Sequence, residues 1–261
     1  DEIETYTPPE VPKEKSIFSH PLKNKSIRKE YHARQLRFLT NRQKQFEAKL
    51  KRYFNQQRDR VIAKVTAGKS TKKLIGDIFD ETQEADLLLP YFEDIKRIAR
   101  EVGQDAYNFL NVPSTFVYTS TLESKLQNRF DFWRNRINET TADSLTNVLR
   151  DYNESDKTIA ELVADIKQTF DGITDNRANT IANTEIGIVQ SEARFDAYKQ
   201  VGLKTKVWVW AEGDKGGVRE NHLELDDGKE YPMDQPFPNG MMFPRDPEFG
   251  PEEICNCNCF I

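Results

Sequence analysis

Residues 175–212, "DNRANTIANTEIGIVQSEARFDAYKQVGLKTKVWVWAE", change character within a few positions, and the fold turns on that change. Ala178, Ala182, Val189, Ala193, Ala197 and Val201 recur at helical spacing as a face of small apolar side chains. The spacing predicts a helix over 175–200, closed by Gly202 as a C-cap. Beyond it, Val207 and Val209 alternate with Trp208 and Trp210, the period of a strand with two usable faces. Glu185 falls among the small apolar positions. A carboxylate buried there must be neutralised or paired, and Arg177 and Arg219 are its candidate partners.

Upstream the chain reads as helical. Thr158 with Glu161 three residues on is a capping-box pattern, and Ile159, Leu162, Val163, Ile166 and Phe170 follow as an apolar stripe, a separate helix before the one at 175. Further helices are predicted over 122–152 and over 81–110, the latter kinked or restarted at Pro90. No Gly or Pro occurs between Lys25 and Ala67, which predicts one very long helix or two in line. Its stripe of Leu39, Phe46, Leu50, Tyr53, Phe54, Val61, Ile62 and Val65 is narrow and interrupted by Gln43, Gln56 and Gln57. Residues 1–24 open with three prolines and five acids in the first fifteen positions and read as an extended or disordered arm.

The fold class expected is α+β: an elongated, mainly α-helical body with a long N-terminal helix, then a small loop-rich, β-containing C-terminal unit. Its expected segments are the arm 1–24, a helical region 25–155 and a domain 156–261. The last sixty residues are poor in aliphatic side chains, so they need a staple or tight docking on the helices.

Charge is distributed unevenly along the 261 residues. The net charge is only −5, yet residues 23–64 carry fourteen Lys and Arg against three acids, and residues 211–261 carry four against twelve. Arg34, Arg37, Arg42, Lys44, Lys49, Lys51, Arg52 and Arg58 are therefore candidate contacts to DNA phosphate or an acidic partner. A solvated charged helix and helix packing in an oligomer explain the same pattern. Mean hydropathy is −0.76, and no run of apolar residues is long enough to span a bilayer. The first residue is Asp rather than Met, as expected for a processed chain or a piece of a longer polypeptide.

Chemistry is concentrated at the end. The three cysteines, Cys255, Cys257 and Cys259, lie in "EEICNCNCFI", about thirty-five residues after His222. One imidazole and three thiolates suit a tetrahedral Zn2+. Alternate residues of a strand point to opposite faces, so the backbone must bend for all to reach one ion. Packed free thiols or a redox-sensitive pair are the other readings. Phosphate-binding loops, dinucleotide fingerprints, nucleophile elbows and His-Glu metalloprotease helices are missing from the sequence. "LDDG" reads as a turn, with Gly228 supplying positive φ.

In order, "R..TIANTE", "VGLKTKVWVWAEGD", "VR..H..LDDG", "F..G..FPRDP" and "NCNC" resemble the phage head morphogenesis family, the Mu F-like minor head proteins. The resemblance covers 175–259. Thr184, Glu185, Trp208, Asp214, Arg219, His222, Gly228, Asp246, Pro247, Asn256, Cys257 and Cys259 fall on motif positions, with Arg177 upstream. Two positions depart from the pattern: Asn258 replaces an Arg between the terminal cysteines, and Cys255 replaces a Pro. The resemblance implies a structural role in the virion, at the portal vertex and capsid interior, aiding head assembly and DNA packaging or ejection. It implies as partners the portal protein, a major capsid or scaffolding protein, packaged double-stranded DNA and other copies of the chain, and no enzymatic activity. It also implies a structural Zn2+ on His222, Cys257 and Cys259, with Cys255 as a fourth ligand. The competing expectations are a toxin-like enzyme, transferring ADP-ribose or cutting nucleic acid through Glu185, Arg219 and His222, and a stand-alone nucleic-acid-binding helical protein.

Overall fold

The computed structural model describes Leu22 and residues 24–68, 74–210 and 219–261; the arm, apart from Leu22 and Asn24, lies outside them. The described residues form helices α1 (Lys25–Ala67), α2 (Ile75–Ile78), α3 (Glu81–Asp86), α4 (Tyr91–Phe109), α5 (Ser120–Asn153), α6 (Ile159–Gln200), α7 (Glu220–Leu223) and α8 (Pro251–Ile254). Strands β1 (Thr205–Lys206) and β2 (Tyr231–Pro232) pair antiparallel, with Thr205 opposite Pro232 and Lys206 opposite Tyr231. The protein is mainly α with a small β part.

The uninterrupted run of helix formers gives a single 43-residue α1. Of the two expectations for Pro90 the restart holds: it separates α3 from α4, and without an N–H it fits just ahead of the first turn of α4. The two helices expected over 158–200 are one, the 42-residue α6. Its start is the capping box: the Glu161 N–H donates to Thr158 Oγ1 at 3.2 Å, and the Thr158 N–H donates to Glu161 Oε2 at 2.7 Å. Its end is a Schellman motif, with the Leu203 N–H on Tyr198 O at 3.1 Å, the Gly202 N–H on Lys199 O at 3.0 Å and Gly202 at φ 75°. Gly172 does not break it, because an exposed helical glycine costs only about 1 kcal/mol, less than opening the ladder between two buried stretches.

The strand expected after Gly202 is reduced to β1 and one further bridge, in which Val209 and Phe260 exchange N–H···O bonds of 2.8 and 2.9 Å. Nor does it have an exposed face: Val207, Trp208 and Val209 are all buried.

The chain packs into two compact units. One comprises Gln43–Ile95 and Ser124–Ala182. Its apolar core joins Val61 and Val65 of α1 to Leu145 and Leu149 of α5 and to Leu162, Ile166 and Phe170 of α6. Gln57, which breaks the stripe of α1, is buried in a polar cluster. Its Nε2 donates to Asn138 Oδ1 at 2.9 Å and to Glu84 Oε2 at 3.2 Å, and Glu84 is paired with Arg60.

The other unit comprises the residues up to Arg42, Lys96–Glu123 and Asn183–Ile261. The segment 156–261 therefore contributes to both units through α6. At the centre of this unit Arg194 of α6, 1% exposed, donates to Tyr31 Oη at 2.9 Å, Gln35 Oε1 at 2.6 Å and Asp105 Oδ2 at 2.9 Å. Tyr31 in turn donates to the Ile261 carbonyl at 2.6 Å. Burial pushes the Asp105 carboxyl up, but Arg194, Gln35 and Arg34 outweigh it and hold the group below its ordinary value.

An acid depressed in the folded state stabilises above its unfolded pKa and loses that contribution as pH falls through the folded value. Stability should therefore decline below about pH 4. Asp105→Asn should cost ~3–5 kcal/mol at neutral pH, because it leaves Arg194 buried without its counter-charge. The same change should flatten the acid limb, as read by urea unfolding in a pH series.

Candidate functional site

The residues singled out at the end of the sequence converge in the second half of the unit built on Arg194. Arg219 is the N-cap of α7, and His222 lies one turn later on the same short helix. Arg219 donates through Nε to the Glu252 carbonyl and through Nη2 to the Cys255 carbonyl, both at 2.7 Å. It thereby fastens α7 to α8 and its C-cap. The Arg-x-x-His spacing thus has a physical reason: the arginine anchors the turn that carries the histidine.

Past α8 the chain bends at Asn256, whose φ is 54°. The bend leaves Cys255 half-buried outside the cluster and turns Cys257 and Cys259 inward. His222 Nδ1 lies 3.6 Å from Cys257 Sγ and 3.7 Å from Cys259 Sγ, and the three ligand atoms lie within 4.8 Å of one another. All three residues are buried, at 1–3% exposure. Trp208 covers the imidazole edge-on at 5.0 Å between ring centres and meets Phe237 at the same distance. On the other side of the ring, Glu253 Oε2 lies 3.0 Å from His222 Nε2. Of the four residues expected to lie together, His222, Cys257 and Cys259 do, and Cys255 lies outside the group.

Arg245 is the residue the sequence reading missed. It is fully buried with φ 62°, in the left-handed region that side chains seldom occupy. Its guanidinium donates to Asn258 Oδ1 at 3.2 Å and to the Gly187 carbonyl of α6 at 3.4 Å. Asn258, one of the two departures from the family pattern, is thus the acceptor for a buried cation. The hydrogen bond from Cys259, then His222 and Arg245, pull the Cys257 thiol down against burial. Burial and the Cys257 thiolate push Cys259 up. The pair therefore favours one negative charge. An arginine inside the apolar "FPRDP" stretch was the available signal for Arg245.

Asp246 beside it is 5% exposed and organises the loop, its carboxylate accepting from the Met242 and Glu248 N–H groups at 3.0 and 3.2 Å. Gly228 has φ 76°, and the Lys229 N–H that follows donates to Asp227 Oδ1 at 2.7 Å. Lys206 is also fully buried. It donates to the Met242 carbonyl at 2.7 Å, between the rings of Phe195 and Phe237, and burial lowers its pKa to about 8.

The remaining predicted residues lie elsewhere. Thr184 and Glu185 are buried on α6. Neither expected arginine serves Glu185. Arg219 holds α8, and Arg177 donates to the Ile137 carbonyl and Thr141 Oγ1 in the other unit, where burial lowers its pKa to about 10. Asp214 lies outside the described residues.

Among the eight basic candidates on α1, Arg34 pairs with Asp105, Arg42 with Glu101 and Lys49 with Asp94, all acids of α4. Lys51 pairs with Glu47 and Asp175, and Arg58 with Asp59. Arg37 donates to the Ala33 carbonyl, while Lys44 and Arg52 are exposed. Much of the apparent excess charge is met inside the protein.

A mainly helical protein whose last sixty residues pack onto the buried turns of α6 through Arg245, and are joined to one another by Arg219 and a His-Cys-Cys cluster, is what the structure defines. Residues 138–261 match the model of the family described as Phage Mu protein F like protein, which supports a Mu F-like phage head morphogenesis family for this part of the chain. A stretch of 129 residues is 35% identical to "Uncharacterized protein YqbB" of Bacillus subtilis (strain 168), covering 47% of this chain and 40% of that protein. No solved structure matches the chain.

The close fit of Arg245 on α6 is testable. A Cβ at Gly187 would lie 2.5 Å from Arg245 Nε and 2.6 Å from its Cδ, whereas one at Gly172 would meet nothing within 4 Å. Gly187→Ala should therefore lose ~1–3 kcal/mol, and Gly172→Ala on the same helix should gain up to ~1 kcal/mol, measured as shifts in the denaturation midpoint.

Proposed function

We propose that the protein is a structural minor head protein of a tailed phage. It is carried in the virion at the portal vertex and capsid interior, and it aids head assembly and the packaging or ejection of DNA. The observation that carries this is the family match over 138–261, on the stretch that holds every motif of the C-terminal unit. The portal protein and a major capsid or scaffolding protein are the proposed partners, with other copies of the chain.

Two features of the structure support a structural over an enzymatic role. Glu185 is 5% exposed and His222 1%, so both are shut off from solvent rather than presented to a substrate among the described residues. Arg219, the third member of the imagined active site, is engaged by two carbonyls. The ion pairs along α1 likewise weigh against a stand-alone nucleic-acid-binding protein, since phosphate would have to displace acids already in place. Among the described residues no helix is long and apolar enough to cross a membrane.

The test is to locate the protein in particles. Purified heads should contain it in quantitative mass spectrometry, and an asymmetric reconstruction should show its density at the portal vertex. Particles that assemble, package and infect without it, and that do not contain it, would refute the proposal.

A further inference from the structure

The buried His-Cys-Cys cluster has the geometry of a metal centre, and its outer partner is a residue that no motif marks. We infer that His222 Nδ1, Cys257 Sγ and Cys259 Sγ hold a thiophilic divalent cation of the Zn2+ class, with Glu253 as the carboxylate that orients the histidine. Metal bonds of about 2.3 Å to sulfur and about 2.0 Å to nitrogen put the N···S edge of a tetrahedron at roughly 3.5 Å. The two N···S separations here are 3.6 and 3.7 Å. The donor atoms already stand at coordination spacing.

The ring orientation is the second, independent observation. A ligating histidine generally passes its other ring proton to a carboxylate, which fixes the tautomer and makes the ligating nitrogen more basic. His222 turns Nδ1 to the thiols, and its Nε2, which makes no hydrogen bond, lies 3.0 Å from Glu253 Oε2, at ion-pair distance. Glu253 is itself held by Asn221 Nδ2, at 3.2 and 3.3 Å from its two oxygens. Arg219 keeps α7 and α8 together, so the imidazole and the carboxylate are placed by the same clamp. With its ligands 1–3% exposed the centre is closed to substrates. It would serve as the staple that the aliphatic-poor C-terminal unit requires.

Metal analysis of the full chain, purified under reducing conditions, tests the inference. It should carry about one zinc per chain. Replacement by Co2+ should give the sulfur-to-cobalt charge-transfer absorption of two thiolates. Cys255→Ser should leave both unchanged, and Cys257→Ser should abolish metal uptake. Glu253→Gln should weaken Zn2+ affinity about 10- to 100-fold in a chelator competition while keeping the cobalt spectrum. If Cys257→Ser fails to fold, the wild-type stoichiometry and the cobalt spectrum decide. A folded wild-type chain that holds no zinc and gives no charge-transfer band with Co2+ overturns the site. So does a Cys257–Cys259 disulfide in the freshly isolated protein, or metal binding that needs Cys255. An affinity unchanged in Glu253→Gln overturns the role of Glu253. None of these outcomes bears on whether the protein sits in the phage head.

Discussion

Twelve consecutive residues of α6, Thr184–Phe195, are buried, and Glu185, Gln190, Ser191, Glu192 and Arg194 are among them. A helix enclosed on every side is normally apolar on every side. Here the enclosed turns carry charge, and an uncompensated buried charge would cost several kcal/mol. The surrounding segments must therefore bring matching groups as well as apolar surface. Residues of α1 and α4 bring Tyr31, Gln35 and Asp105 to Arg194. Residues after Gly202 cover the helix at Gly187, where the missing side chain makes room for Arg245.

The C-terminal cover is built with cations where a larger domain would use aliphatic side chains. Lys206 lies between phenylalanine rings, Arg245 lies over Phe260 at 5.7 Å, and Arg219 holds two carbonyls. Each long side chain contributes its apolar stem to packing and its head to backbone groups that short, irregular segments leave unpaired. The same economy of apolar residues explains why the His222, Cys257 and Cys259 cluster lies where the chain closes, beside the Val209–Phe260 bridge.

Much of this was legible in the sequence, where the signal was local. The extent of α1, the capping box at Thr158 and the Gly202 cap follow from spacing or turn chemistry, whereas the grouping of His222 with Cys257 and Cys259 was implied by the family resemblance. What escaped depends on tertiary partners. Nothing within α1 says that acids of α4 meet Arg34, Arg42 and Lys49, so its basic stripe looked like an interface. The helices expected from Thr158 and from Asp175 looked separate, because local pattern does not report that the stretch between them continues one helix. Cys255, expected as a fourth member of the group, lies outside it because Asn256 turns the chain between them. Arg245 and Glu253 carry no periodic signal, and only the folded chain brings them to α6 and to His222.

The central claim is that the buried turns of α6 and the C-terminal closing segment form one cooperative element. Native-state hydrogen exchange, resolved by peptide, tests it most directly. Amides of residues 184–198 and of the Val209–Phe260 bridge should exchange with the same free energy of opening and the same denaturant dependence. Rapid exchange at the bridge, with the α6 amides still protected to the global limit, would contradict it.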